Sequence, residues 1–240
     1  MLVLFCKFGT LFFWFFLASI VNGMSHEIDR SFKLIFWGTE FGEFKVNGET
    51  SNDKYSVSTT ASGKSLIRLL SRFKISSGAV GSISGEGVLI PVQSISRWSI
   101  RGKVKETQLN YRDGTVIGFE SSPELTRQYH IDNPIGIRNT IDPVSLVLWL
   151  LLEREDNQAC KEKIEILDGF RISELSFGKK NVFQDKLECF GIIKRVKGFK
   201  KADINKEPLQ FKLIYTLKKS KSFQVSEIEV ETLFGKIILR

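Results

Sequence analysis

Seven consecutive apolar residues, Leu146-Val147-Leu148-Trp149-Leu150-Leu151-Leu152, constrain this chain more than any other feature. They sit in a segment with a helix start. Asp142 can accept hydrogen bonds from the free N–H groups of a first turn, and Pro143 suits the first helical position, where no N–H is needed. The predicted helix covers Ile141–Arg154. Apolar side chains on every face ask for burial on every face. The run is also too short for the roughly 20 residues of a bilayer crossing. The rest of the chain must therefore wrap this helix.

The wrapping material reads as strands. Short alternating runs separated by turn residues occur at Lys33–Trp37, Glu43–Asn47, Lys54–Thr60, Arg72–Ser76, Gly87–Pro91, Ser96–Ile100, Lys105–Tyr111 and Val116–Glu120. Others follow the helix at Ile164–Leu167, Phe170–Phe177, Lys186–Val196, Gln210–Leu217, Gln224–Thr232 and Gly235–Leu239. The first pair is expected to turn through Gly38–Gly42, and Asp113-Gly114 and Asp168-Gly169 are strong turn signals. Glu227-Ile228-Glu229-Val230-Glu231 puts carboxylates on one face and branched apolar residues on the other, as in a sheet wet on one side. Ser65–Leu70 reads as a second short helix or as a strand. The expected fold is mainly β, a curved antiparallel sheet or incomplete β-barrel around a buried central helix.

The chain opens with an address. Lys7 precedes an apolar stretch from Phe8 to Ile20, about 13 residues long, and short side chains follow at Ala18, Ser19 and Gly23. This is the layout of a secretory signal peptide with Val21 and Gly23 at the −3 and −1 positions. An uncleaved N-terminal anchor is the alternative. Cys6 lies ahead of the apolar stretch, where a lipoprotein-type cysteine cannot be. The expected organisation is a signal peptide over 1–23 and one exported β-rich domain over 24–240, in the periplasm. No repeat, linker or low-complexity tract divides that domain. Export leaves two of the three cysteines, Cys160 and Cys189, which an oxidising compartment would join. Two buried free thiols are the alternative. Two histidines and this cysteine spacing supply no metal site, and no cofactor is expected.

The formal net charge is +8, with basic groups at Lys179-Lys180, at Lys194, Arg195, Lys197, Lys200 and Lys201, and at Lys218-Lys219-Ser220-Lys221. Outside the cytoplasm such groups point to anionic envelope polymers rather than nucleic acid, or to solvated loop ends. Enzyme motifs fail one by one. Ser62-Gly63-Lys64-Ser65 has the end of a phosphate-binding loop, but Ser58 stands where its first glycine is needed. His130 with Asp132 makes no triad by adjacency. Glu153, Glu155 and the 227–231 carboxylates read as exposed faces. The chain is expected not to be an enzyme.

Asp142-Pro143-Val144-Ser145 opening the helix, then Cys160, Ile166-Leu167-Asp168-Gly169-Phe170-Arg171, Cys189 and Lys197-Gly198-Phe199 resemble an uncharacterised family of exported proteobacterial proteins, domain of unknown function 3108. An early pair, Gly38 and Gly42, also matches. The sequence departs at Phe170, where the family tends to carry Arg. The resemblance implies a periplasmic open barrel around a helix, similar in shape to lipoprotein-carrier domains, and implies no activity.

Two functions are expected from these features. The first is binding of an apolar or amphipathic ligand, a lipid or lipoprotein, in the cleft of an open barrel. Leu148, Trp149, Leu151, Leu152, Phe211 and Leu213 are the candidate lining, with a dry core of the same residues as the alternative. The second is a structural or interaction protein of the envelope, touching anionic polymer or a protein partner through its basic loops. A monomer is expected in either case.

Overall fold

The computed structural model describes residues 26–64, 73–85, 87–124, 130–232 and 235–240. The leader over 1–23 and the candidate helix Ser65–Leu70 lie outside the described residues.

The first half is a meander of seven strands, β1 (His26–Phe36), β2 (Thr39–Ser51), β3 (Lys54–Gly63), β4 (Lys74–Ile83), β5 (Leu89–Ile100), β6 (Lys103–Arg112) and β7 (Thr115–Ser122). Four of its hairpins turn on residue pairs in the left-handed region: Trp37-Gly38, Asn52-Asp53, Arg101-Gly102 and Asp113-Gly114. Two left-handed residues match the twist of the flanking strands, so each turn closes in two residues and fixes register. The first hairpin thus turns earlier than the glycine spacing suggests. Gly42 instead sits within β2, where an added Cβ would stand 2.6 Å from the Ser62 carbonyl oxygen. Its role is close strand approach rather than turning. The runs Gly87–Pro91 and Ser96–Ile100 merge into β5, and a register shift opposite Val80 and Gly81 bends the pair.

The second half starts with β8 (Thr140–Ile141) and α1 (Pro143–Leu151), then β9 (Lys163–Leu167), β10 (Ile172–Val182), β11 (Lys186–Lys197), the short α2 (Lys201–Ile204), β12 (Leu209–Leu217), β13 (Phe223–Thr232) and β14 (Gly235–Leu239). All fourteen strands form one sheet, ordered β7-β6-β5-β4-β3-β2-β1-β14-β13-β12-β11-β10-β9-β8. Among the described residues only the β8–β9 pair is parallel. The two meanders join where β1 meets β14. Their far edges approach each other as well. Thr115 bridges Arg138, the Val116 N–H donates to the Ile137 carbonyl at 2.9 Å, and the Gly136 N–H donates to the Val116 carbonyl at 2.8 Å. The sheet is therefore nearly closed into a barrel. Leu109, Tyr111, Val116, Ile131, Leu167 and Ile172 form a small core of their own across this seam.

Helix α1 packs on the inner faces of β3, β4 and β5 on one side and of β9 and β13 on the other. Val144, Ser145, Leu148, Trp149 and Leu151 are buried. Leu146, Val147, Leu150 and Leu152 are half-buried. The expectation of equal burial all round is thereby corrected: the wrap is tight on one side of the helix and loose on the other. Cys160 and Cys189 are joined in a disulfide, Cα to Cα 5.5 Å, which ties the segment after α1 to β11. The bridge is compatible with an oxidising, exported compartment. Glu227, Glu229 and Glu231 stand on the outer face of β13 and pair with Arg240, Lys212 and Lys236.

Candidate binding cleft

Register decides what faces the helix. In β3, Tyr55, Val57, Thr59 and Ala61 alternate inward while their neighbours are exposed. Pairing carries that parity across the meander. Thr59 is opposite Ser77, Ser77 opposite Ser96, Ser96 opposite Thr107 and Thr107 opposite Ser121. One row of hydroxyls thus crosses the inner wall from β3 to β7. Beside it runs an apolar row, Phe44, Ala61, Ile75 and Trp98. On its other side run Val57, Ala79, Ser94 and Leu109.

Between this wall and Pro143, Val144 and Val147 of α1 lies a cleft of about 190 Å³. Thr59, Ser77, Ser94, Ser96 and Thr107 line it together with Phe44, Ile75, Trp98 and Leu109, and Asp168 stands at its edge. Ile75 and Trp98 are partly exposed and mark the outer end, whereas Leu109 and Ser94 are buried and mark the inner end. None of the five hydroxyls has a hydrogen-bond partner among the described residues. The Asp168 carboxylate is engaged, accepting from the Phe170 and Arg171 N–H groups at 3.0 and 2.8 Å and from the Arg171 guanidinium.

The helix is held beside the cleft by a buried polar chain. The Tyr55 hydroxyl meets Ser145 Oγ at 2.7 Å, and the Ser145 hydroxyl donates to Asp142 Oδ2 at 2.6 Å. Because Ser145 spends its proton on Asp142, Tyr55 is the donor to Ser145. Asp142 Oδ1 accepts from the Val144 and Ser145 N–H groups at 2.9 and 3.0 Å, which makes the carboxylate the cap of α1. Burial raises the Asp142 carboxyl above the ordinary aspartate range against these hydrogen bonds. Burial, and then the Asp142 charge, push the Tyr111 phenol well above its ordinary value, and its hydroxyl and that of Thr140 are buried without a partner among the described residues. At the other end of α1 the Arg154 guanidinium stacks 3.9 Å over the Trp149 ring and donates to the Trp149 carbonyl at 2.7 Å. Burial lowers its pKa and raises that of Tyr215 to about 12.

The expected lining residues lie elsewhere. Leu148, Trp149, Leu151, Phe211 and Leu213 belong to the main core cluster, and Leu152 packs against it. Phe211 also borders a separate hollow of about 240 Å³ with Phe177 and Phe190. A larger groove of about 570 Å³ lies over β1–β5 on the outer face, bordered by exposed side chains such as Glu27, Glu49, Ser56 and Ser58. The inner cleft, lined by buried side chains of both α1 and the sheet, is the better candidate.

The basic residues do not share one face. Lys194, Lys197, Lys200 and Lys201 are exposed, while Arg195 is half-buried on the opposite face of β11 and donates to the Glu207 carbonyl at 3.1 Å. Asp203 beside them is held below the usual carboxylate range, first by its hydrogen bond to Lys206. Lys64 donates to Glu40 at 2.7 Å, and His130 packs against the Phe170 ring. Among the described residues no group of His, Cys, Asp and Glu side chains could hold a metal ion, and no helix is long and apolar enough to cross a membrane.

No family model matches the chain. No curated protein or solved structure is significantly similar to it either.

Proposed function

We propose that this chain is an exported, periplasmic, non-catalytic binding domain that holds an apolar or amphipathic ligand, a lipid or a lipoprotein's acyl chain, between α1 and the inner wall of β2–β6. The observation that carries the reading is the cleft left where the barrel wraps its helix loosely. There Phe44, Ile75, Trp98 and Val147 offer an apolar passage to the outside. Apolar walls with a few convergent polar groups are the usual make-up of a small-ligand site. The leader-like first 23 residues support export, as does a disulfide, a bond that oxidising compartments favour. The motif likeness of residues 142–199 to an exported family points the same way.

The test is retention. The protein is incubated with total lipid extract, desalted and weighed by native mass spectrometry. The expected result is about one lipid per chain, lost in Val147→Trp, whose indole fills the cleft. A chain that emerges bare in every trial contradicts the reading. So does an unchanged load in a folded Val147→Trp variant.

A further inference from the structure

Resting on that reading, we infer that the ligand is uncharged and carries hydroxyl or ester oxygens, a monoacylglycerol-like amphipath rather than an ionised fatty acid or phospholipid. Three of the cleft's hydroxyl residues are more than nine-tenths buried, Thr59 at 6%, Ser94 at 6% and Thr107 at 8% exposure. With Ser77 and Ser96 they point into one space and bond to nothing in the described fold. A hydroxyl that lines a narrow cleft can bond to what enters it, and each can both donate and accept. The row therefore matches a ligand with ester carbonyls as acceptors and free hydroxyls as either.

The charges argue against an anion. Among the described residues no cation lines the cleft, and the one charged residue that does is acidic, Asp168, already bonded to Arg171. A carboxylate or phosphate there would lose its water and find, among the described lining residues, neutral hydroxyls and a carboxylate that already holds its cation. Lys105 stands opposite Trp98 in the sheet but does not line the cleft. The apolar row Phe44–Ile75–Trp98, facing Val147, takes the acyl segment at the outer end.

The experiment offers the full chain equal amounts of 1-monooleoylglycerol and oleate, which share one acyl chain, and reads both complexes by native mass spectrometry. At least tenfold more monoacylglycerol complex is expected. Ser77→Ala with Ser96→Ala should cut that complex at least tenfold and leave the oleate complex unchanged. Both residues are half-buried and unbonded, so the double variant should fold, and the single Ser96→Ala variant should show a smaller loss in the same direction. Equal or stronger oleate binding overturns the inference while leaving the cleft as a lipid site. Monoacylglycerol binding indifferent to the serine changes overturns it too. If neither probe is retained, and the lipid extract leaves the chain bare as well, the cleft holds water alone and the proposed function falls with the inference.

Discussion

Asp142 has no exposure to solvent, yet it carries the cap of α1 and one end of the Tyr55–Ser145 chain. Its capping role was legible, because Asp followed by Pro is a helix-start signal whatever the tertiary context. Its burial was not, because Tyr55 lies 90 residues away in sequence. Burial raises the carboxyl above its ordinary 3.8, so the folded chain holds this proton more tightly than the unfolded chain. The resulting contribution to stability is complete below pH 3.8 and is lost as the pH rises through the raised value. Asparagine at this position keeps an acceptor for the two N–H groups and cannot ionise. Asp142→Asn should therefore flatten the dependence of unfolding free energy on pH above 3.8, as urea titrations at a series of pH values would show. An unchanged slope would mean that the carboxyl titrates normally. Asp142→Ala removes the cap and should cost about 0.5–2 kcal/mol at low pH and less as the pH rises.

At the scale of elements, α1 divides into a packed side and a loose side, and this division makes the cleft. Leu148 is fully buried, and Leu148→Ala should cost about 2–5 kcal/mol through lost transfer energy and the cavity left behind. Val147, one residue on the cleft side, should cost only about 1 kcal/mol as Val147→Ala. Denaturant unfolding of the two variants measures the difference; similar losses would show that the helix is wrapped equally on all sides. The gapless apolar run could not reveal this asymmetry, since every face of it looks alike in sequence. Strands are legible, because alternation and turn residues are local. The hydroxyl row was harder. Thr59, Ser77, Ser96 and Thr107 resemble exposed strand residues, and only register brings them together. A signal was present nonetheless: Thr59 shares parity with Tyr55 and Val57, and Ser77 with Ala79, all of which point inward.

At the scale of the whole molecule, two meanders meet at β1 and β14 and nearly close at the seam between β7 and residues 136–139. That closure was not legible, because residues 136–139 carry no strand pattern of their own and nothing local brings them beside Val116. The disulfide was legible once export was inferred, and it adds a constraint that the sheet lacks, tying the end of the helix segment to β11. Closing a loop over a separation of 29 residues removes denatured-state freedom worth roughly 3–4 kcal/mol. Cys160→Ser with Cys189→Ser should lower unfolding free energy by about that amount, measured by calorimetry beside the oxidised chain. A loss near zero would show that the bridge is incidental to the wrap.

The proposed ligand sits between α1 and the inner wall of β2–β6, and its location can be measured. An acyl amphipath bearing a photoreactive diazirine on its chain, irradiated with the protein and mapped by peptide mass spectrometry, tests it directly. The expected adducts fall on Phe44, Ile75, Trp98 and Val147. Labelling confined to the outer face, around Ser56 and Ser58 or over the basic loops, would contradict the account.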